Sequence, residues 1–230
     1  VSTHPGRAAS AAKQQRGKSP LTAETGPASS GDSGGASADI TEHELKRRAI
    51  LEGAAAVFAR RGFVAGTTKE IAAEVGLSQP AIYHYVGSKS DLLREIALQV
   101  DRDLFAALES GIARSTNPAE QLRGIIEEYT AAVVRDRRVF AVFWQEGHSL
   151  PQEIQDRIRE DQRDFITRVG KIVARLQRSK VLPPGPVAVM ARAILSMPSW
   201  MYHWYLPEGQ MTATEIADVY CRLIGLGERR

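Results

Sequence analysis

The chain has 230 residues, 43% of them hydrophobic and 25% charged, with a formal net charge of +3 and an isoelectric point near 9.1. This is enough apolar material for one or two modest cores, and the small basic excess is compatible with a polyanionic partner without requiring one. A single cysteine, Cys221, excludes an internal disulfide and a cysteine-based zinc site. No apolar run reaches the length of a membrane span and no charged-then-apolar leader is found, so a soluble, cytoplasmic protein with no membrane partner is expected.

Residues 1–39 are rich in Ala, Ser, Gly, Thr and Pro, with Arg7, Lys13, Arg16 and Lys18 among them and almost nothing to fill a core. A disordered tail is expected, either a dispensable leader or a basic arm adding phosphate contacts. Thr41 and Glu44 then form a capping box, and Ile50, Leu51, Ala54, Val57 and Phe58 share one face of a helix ending near Gly62. The Lys46, Arg47, Arg48 run near its start reads as a solvated face or as contacts to a nucleic-acid backbone.

The stretch Thr67 to Lys89 reads as two short helices joined by a tight turn. Thr67 and Glu70 predict a capping box, Ile71, Ala72 and Val75 an apolar stripe, and Gly76 a left-handed helix end with Leu77 packing back. Ser78 can cap the second helix, and Pro80 falls in its first turn, where a missing N–H is harmless. Ile82 and Val86 point inward, leaving Gln79, Ala81, Tyr83, His84 and Tyr85 spread around the outer side. Such a pair can enter the DNA major groove. Ser88 caps the next helix, whose first residue, Lys89, is expected to place a cation near a backbone phosphate.

From Ser88 onward the apolar period is helical throughout. Leu92, Leu93, Ile96, Val100, Leu104 and Leu108 mark a long connecting helix; Asn117, Pro118 and Glu120 start another that carries Leu122, Ile125, Ile126, Tyr129 and Val133. The segment from Val139 to Trp144 precedes His148 and a break at Pro151, after which Ile154, Ile158, Phe165, Val169, Ile172 and Leu176 recur along a long amphipathic helix. Pro183, Pro184, Gly185 and Pro186 interrupt the chain. Two final helices follow, the first with Val189, Met190, Ala193, Ile194, Met197, Trp200, Met201 and Trp204, the second capped by Thr212 and Glu215 and bearing Ile216, Val219, Tyr220 and Leu223.

Wide apolar faces on adjacent helices predict a self-paired four-helix seam, with Met190, Ile194, Met197, Ile216, Val219, Tyr220 and Leu223 as interface residues. An apolar ligand site is expected from Tyr129, Phe140, Phe143, Trp144, His148, Phe165, Trp200, Met201 and Trp204, with Gln145 or His203 as further polar handles. An arginine among Arg135, Arg137, Arg138 and Arg168 is expected to meet any phosphate of that ligand. An enzyme is not indicated, because there is no metal-spaced histidine cluster, no Cys–His pairing and no phosphate loop; GFVAGT lacks the lysine and the spacing of one. No cofactor or metal is expected.

The block ILEGAAAVFARRGFVAGTTKEIAAEVGLSQPAIYHYVGSKSDLL, Ile50 to Leu93, resembles the N-terminal domain of the TetR family of bacterial transcriptional regulators. Phe58 and Gly62, Thr67-Thr68, Ile71-Ala72, Val75-Gly76, Tyr83-His84-Tyr85 and Lys89 carry the resemblance. It implies an all-α fold of about nine helices, with a helix-turn-helix DNA-binding domain over 40–88 and a ligand-binding and dimerisation domain over 89–230. By resemblance Gln79, Ala81, Tyr83 and His84 face bases or nearby backbone, Thr67, Tyr85 and Lys89 hold phosphates, and Thr68, Ser78 and Pro80 complete the DNA-binding set. The segment Met197 to Tyr220 is similar to the equivalent end of TetR-type regulators of fatty-acid and sterol breakdown that respond to acyl-CoA thioesters, with Pro198-Ser199 where a small residue and an Asn are expected.

The implied function is a repressor that binds a palindromic double-stranded DNA operator as a homodimer and is released by a hydrophobic or acyl-CoA effector. The alternatives are a regulator of a drug-efflux gene responding to aromatic or cationic drugs, and a helical lipid-binding or interaction protein with an idle helix-turn-helix.

Overall fold

The computed structural model describes residues 42–227, which belong to one compact unit spanning Ile40–Arg230. The expected tail and the Thr41 cap lie outside the described residues. Among the described residues every regular element is helical: α1 (Glu42–Ala65), α2 (Thr68–Glu74), α3 (Gln79–Val86), α4 (Lys89–Ala113), α5 (Pro118–Arg135), α6 (Arg137–Glu146), α7 (Gln152–Arg178), α8 (Val187–Ser199), α9 (Met201–Trp204) and α10 (Ala213–Leu223). A 3₁₀ turn, Gly147–Ser149, separates α6 from α7. The tenth segment, beyond the nine expected, is the four-residue α9; Pro198, which cannot donate to the helical ladder, precedes the point where it splits from α8. None of these helices is long and apolar enough to cross a membrane.

The first three helices pack on one another around apolar side chains that are continuous with the rest of the core. Ile50, Ala54, Val57 and Phe58 of α1 are buried with Ile71 and Ala72 of α2 and Ile82 and Val86 of α3. Regular α1 geometry breaks at Gly62, with φ 76° and ψ 160°, where the sequence places its end. At Gly76 the backbone turns left-handed (φ 67°), and Leu77 N–H donates back to Ala72 C=O at 2.9 Å, so the chain leaves α2 through a Schellman turn.

This head is packed directly on the body. Helix α1 lies along α6 and also touches α4, and α6 buries Phe140, Val142 and Phe143. Within the body α4 and α5 make the most extensive helix pair, and glycines set their approach. A Cβ on Gly111 would stand 2.4 Å from the Ile125 backbone nitrogen, and one on Gly124 3.0 Å from Gly111 Cα. Helices α7, α8 and α10 pack around α5, with Val169, Val173, Ala191 and Ala217 fully buried.

Candidate nucleic-acid interface and ligand cleft

Thr67 caps α2 as its sequence predicts: its hydroxyl accepts from Glu70 N–H at 3.2 Å, and the Glu70 carboxylate accepts from Thr67 N–H at 2.9 Å. The Thr67 hydroxyl also donates to the Glu70 carboxylate at 3.0 Å, and that bond, with the one from Thr67 N–H, holds the Glu70 carboxyl below the usual carboxylate range. Ser78 accepts from Ala81 N–H at 3.4 Å and starts α3 with Pro80 in its first turn. Gln79, Pro80, Tyr83 and His84 are then exposed on the outer side of α3, Ala81 and Tyr85 are half-buried, and Ile82 and Val86 face the core.

Several side chains expected to meet DNA are engaged within the protein. Thr68 is 7% exposed; its hydroxyl accepts from Gln79 Nε2 at 2.8 Å and pairs with the Tyr83 hydroxyl at 3.0 Å. Thr68 thus anchors two candidate readers from behind the α3 surface. Tyr85 packs against His43 of α1 with the rings tilted and their centroids 4.9 Å apart, and leans against the core. Lys89 departs furthest from expectation. Its Nζ donates to Phe63 O (2.8 Å), Val64 O (3.1 Å) and Gly66 O (3.0 Å) and lies 4.6 Å from the centroid of the Phe63 ring. All three ammonium donors are consumed at the end of α1, where unpaired carbonyls favour a cation, so the side chain staples α1 to α4 and has no donor left for a phosphate.

A cleft of about 380 Å³ opens in the body between α4, α5, α6, α7 and α8. Phe105, Tyr129, Trp144 and Phe165 form its aromatic wall; Phe165 meets Phe105 and Tyr129 edge-on at centroid distances of 5.7 and 6.2 Å. Ser199 hydroxyl donates to Leu195 C=O at 2.8 Å, so across their 2.6 Å contact the Tyr129 hydroxyl is the donor. Both hydroxyl protons are then spent inside the protein, and what the pair retains toward a ligand is lone pairs. Burial pushes the Tyr129 hydroxyl up to about 12, which keeps it neutral. On α4, Asp101 also lines the cleft; burial and the facing Asp161 carboxylate raise its carboxyl to about 6.

Of the expected ligand residues, Tyr129, Trp144 and Phe165 line this cleft, and Phe143 with Trp144 lines a smaller neighbour of about 180 Å³. The others lie elsewhere. Phe140 and Met201 are fully buried core residues, His148 is exposed on the 3₁₀ turn, and Trp200 and Trp204 stand 56% and 46% exposed on the outer surface. The expected phosphate arginines are also elsewhere: Arg137 donates to Tyr205 C=O, Arg168 pairs with Glu109, and Arg135 with Asp136. The arginines that do line the cleft are Arg159, Arg163 and Arg192. Their polar spacing on α7 and α8 looks like any solvated helix face until the helices are packed, so no local signal marks them.

Among the expected seam residues, Ile194 (4% exposed) and Ile216 (6% exposed) are core side chains. They point into the bundle because α8 packs on α5 and α7, and α10 on α5. Met190, Met197, Val219 and Tyr220 are half-buried, and Leu223 is 71% exposed. Val189 (62%) on α8 and Trp200, between α8 and α9, add uncovered apolar area.

The family profile described as bacterial regulatory proteins, tetR family, matches residues 50–96, and that of the tetracyclin repressor-like C-terminal domain matches residues 115–227. The HTH-type transcriptional repressor KstR2 of Mycobacterium tuberculosis is 24% identical over 184 residues, covering 78% of this chain and 90% of that protein. The TetR family transcriptional regulator PfmR of Thermus thermophilus superposes with a TM-score of 0.70 at 33% identity, over 79% of this chain and 99% of that one. AibR, solved in complex with isovaleryl coenzyme A and operator DNA, shares the fold with a TM-score of 0.69 at 24% identity, over 79% of this chain and 98% of that one. With both its helix-turn-helix and its helical body matched, the chain belongs to the TetR family of bacterial transcriptional regulators.

Proposed function

We propose that this protein is a ligand-responsive repressor that binds a palindromic DNA operator as a homodimer and is released by a hydrophobic effector, an acyl-CoA from fatty-acid or sterol catabolism being the first to test. The observation that carries the reading is the continuity from cleft to head: Trp144 lines the cleft on α6, and α6 packs along α1, the helix that supports α2 and α3. A ligand that shifts α6 would tilt the head through a packed contact.

The candidate DNA surface is the exposed face of α3, Gln79, Pro80, Tyr83 and His84, with Ala81 at its edge, the caps Thr67 and Ser78 at the helix starts, and Thr68 holding Gln79 and Tyr83 in place. Two dimer arrangements differing in the separation of the α3 helices would exchange, and a ligand favouring the splayed one releases DNA by its differential affinity. A tenfold loss of operator affinity needs only about 1.4 kcal/mol of coupling. KstR2 is named a repressor, and AibR was solved with an acyl-CoA and its operator together; these support the same division of labour.

The test is a titration of the promoter DNA flanking this protein's own gene at several salt concentrations. Sequence-preferring binding with a steep salt slope is expected, with Tyr83→Ala or His84→Ala reducing preference for the specific site by about 1–3 kcal/mol. Salt-insensitive binding without sequence preference would point to the lipid-binding or interaction role with an idle helix-turn-helix. Ligands that bind without changing operator affinity would remove the coupling.

A further inference from the structure

The rim of the cleft carries a charge arrangement that bears on which effector the cleft takes. Arg159 and Arg163 stand one turn apart on α7, Arg192 faces them from α8, and all three line the same opening. Elsewhere in the protein exposed arginines are mostly paired: Arg47 with Glu95, Arg60 with Glu74, Arg114 with Glu127 and Glu128. Arg159 likewise bridges to Asp156 on its own helix. Arg163 and Arg192 make no ion pair among the described residues; the only bond of the Arg192 guanidinium is a 3.4 Å donation to Ala188 C=O.

The lining residues bring three guanidiniums against one lining carboxylate, Asp101, which is itself occupied with Asp161 and Arg157 of α7 and Arg102 of α4; just outside the lining, Asp156 bridges Arg159 and is felt at longer range by Arg163. Arg163 and Arg192, neither in an ion pair, thus border the mouth of an aromatic cleft. A guanidinium presents a planar fork of donors that matches a carboxylate or phosphate, and it does so best where an apolar wall excludes part of the competing water.

We propose that the cleft takes an anionic amphiphile, its apolar part lying against Phe105, Trp144 and Phe165 and its carboxylate or phosphate head held by Arg163 and Arg192, with Arg159 beside them. The proposal rests on the reading of this cleft as the effector site, and it names the chemical class of that effector. At about 380 Å³ the cleft is at the small end of ligand sites, so a short or compact apolar group enters and the anionic remainder stays at the rim. A cationic amphiphile meets the wrong sign of charge at the same rim, which separates this class from the aromatic cationic drugs also considered for such regulators.

The test uses the full chain and isothermal titration at constant ionic strength with four probes of one chain length: decyl phosphate, decanoate, decanol and decyltrimethylammonium. The two anions are expected to bind at least about tenfold more tightly than decanol, and decyltrimethylammonium more weakly than decanol. The double variant R163A/R192A should lose about tenfold or more for decyl phosphate while its decanol affinity stays unchanged. R163K, which keeps the charge and loses the fork, should lose less. Arg222→Ala, an exposed cation on α10 away from the cleft, controls for net charge and should change nothing.

Decanol binding as tightly as decyl phosphate, an unchanged double variant, an equal loss in Arg222→Ala, or no binding of either anion each overturns the proposal. The greater binding of phosphate over decanoate, or the reverse, identifies which head the rim prefers. Running the same probes against the protein–DNA complex keeps the two readings apart: anions that bind through Arg163 and Arg192 without releasing DNA leave this proposal standing and remove the effector role.

Discussion

Thr130 on α5 has a fully buried hydroxyl with no hydrogen-bond partner among the described residues. A buried hydroxyl left unpaired is costly, and valine has the same branched shape without the polar atom. Thr130→Val is therefore expected to raise stability by about 1 kcal/mol in thermal or urea unfolding; a clear loss would show that the hydroxyl is satisfied in solution. Asp101 makes a prediction with a sign. Its carboxyl sits at about 6 in the folded protein, above the value of about 3.9 for an unfolded chain, so the native state binds the proton more tightly. The stability this contributes is complete below about pH 4 and is lost as pH rises through about 6. Relative to the parent, Asp101→Asn should show a flatter melting-temperature profile across that interval, by less than the full linkage value because the side chain is only half-buried. Parallel profiles would mean that the Asp101–Asp161 contact does not hold a proton.

Among the elements, the helix-turn-helix was almost wholly legible. The Thr67–Glu70 box, the left-handed Gly76, the Ser78 cap and the inward Ile82 and Val86 all follow from local backbone chemistry, which short-range sequence carries. Lys89 was not legible, because its partners are the carbonyls of residues 63, 64 and 66, more than twenty positions earlier. Lys89→Met is expected to lower the melting temperature by loosening the joint between α1 and α4. The slope of log affinity against log salt for DNA should stay as in the parent, whereas a slope reduced by about 1 would return Lys89 to a phosphate. The ligand side followed the same division. Tyr129, Trp144 and Phe165 line the cleft, but Phe140 and Met201 are just as apolar and are core. Apolar type says that a side chain leaves water, and the packing of five helices decides whether it meets a ligand or another side chain.

At the scale of the whole molecule, Val189 on α8, Trp200 between α8 and α9, and Leu223 on α10 leave apolar side chains uncovered, and exposed apolar area is the raw material of association surfaces. A homodimer through these helices would set the two α3 helices about 34–36 Å apart, one turn of DNA. Sedimentation should give a dimer, and Trp200→Asp with Leu223→Asp should shift it to monomer with loss of tight operator binding; a monomeric parent protein removes the proposal. The one compact unit of described residues matters here, because a head packed on α6 and α4 moves with the body that would be paired.

The sequence by itself determined the all-helical architecture, the caps, the turn of the reading head and the family, because each is written in residues close together along the chain. Tertiary structure alone decided the rest: that Lys89 is a staple, that Ile194 and Ile216 are core, and that Arg159, Arg163 and Arg192 share one opening with Trp144. These are contacts between helices far apart in sequence. Helical periodicity fixes which side of a helix is apolar, but what that side or its charged border faces depends on the crossings set by close approaches such as Gly111 on Ile125.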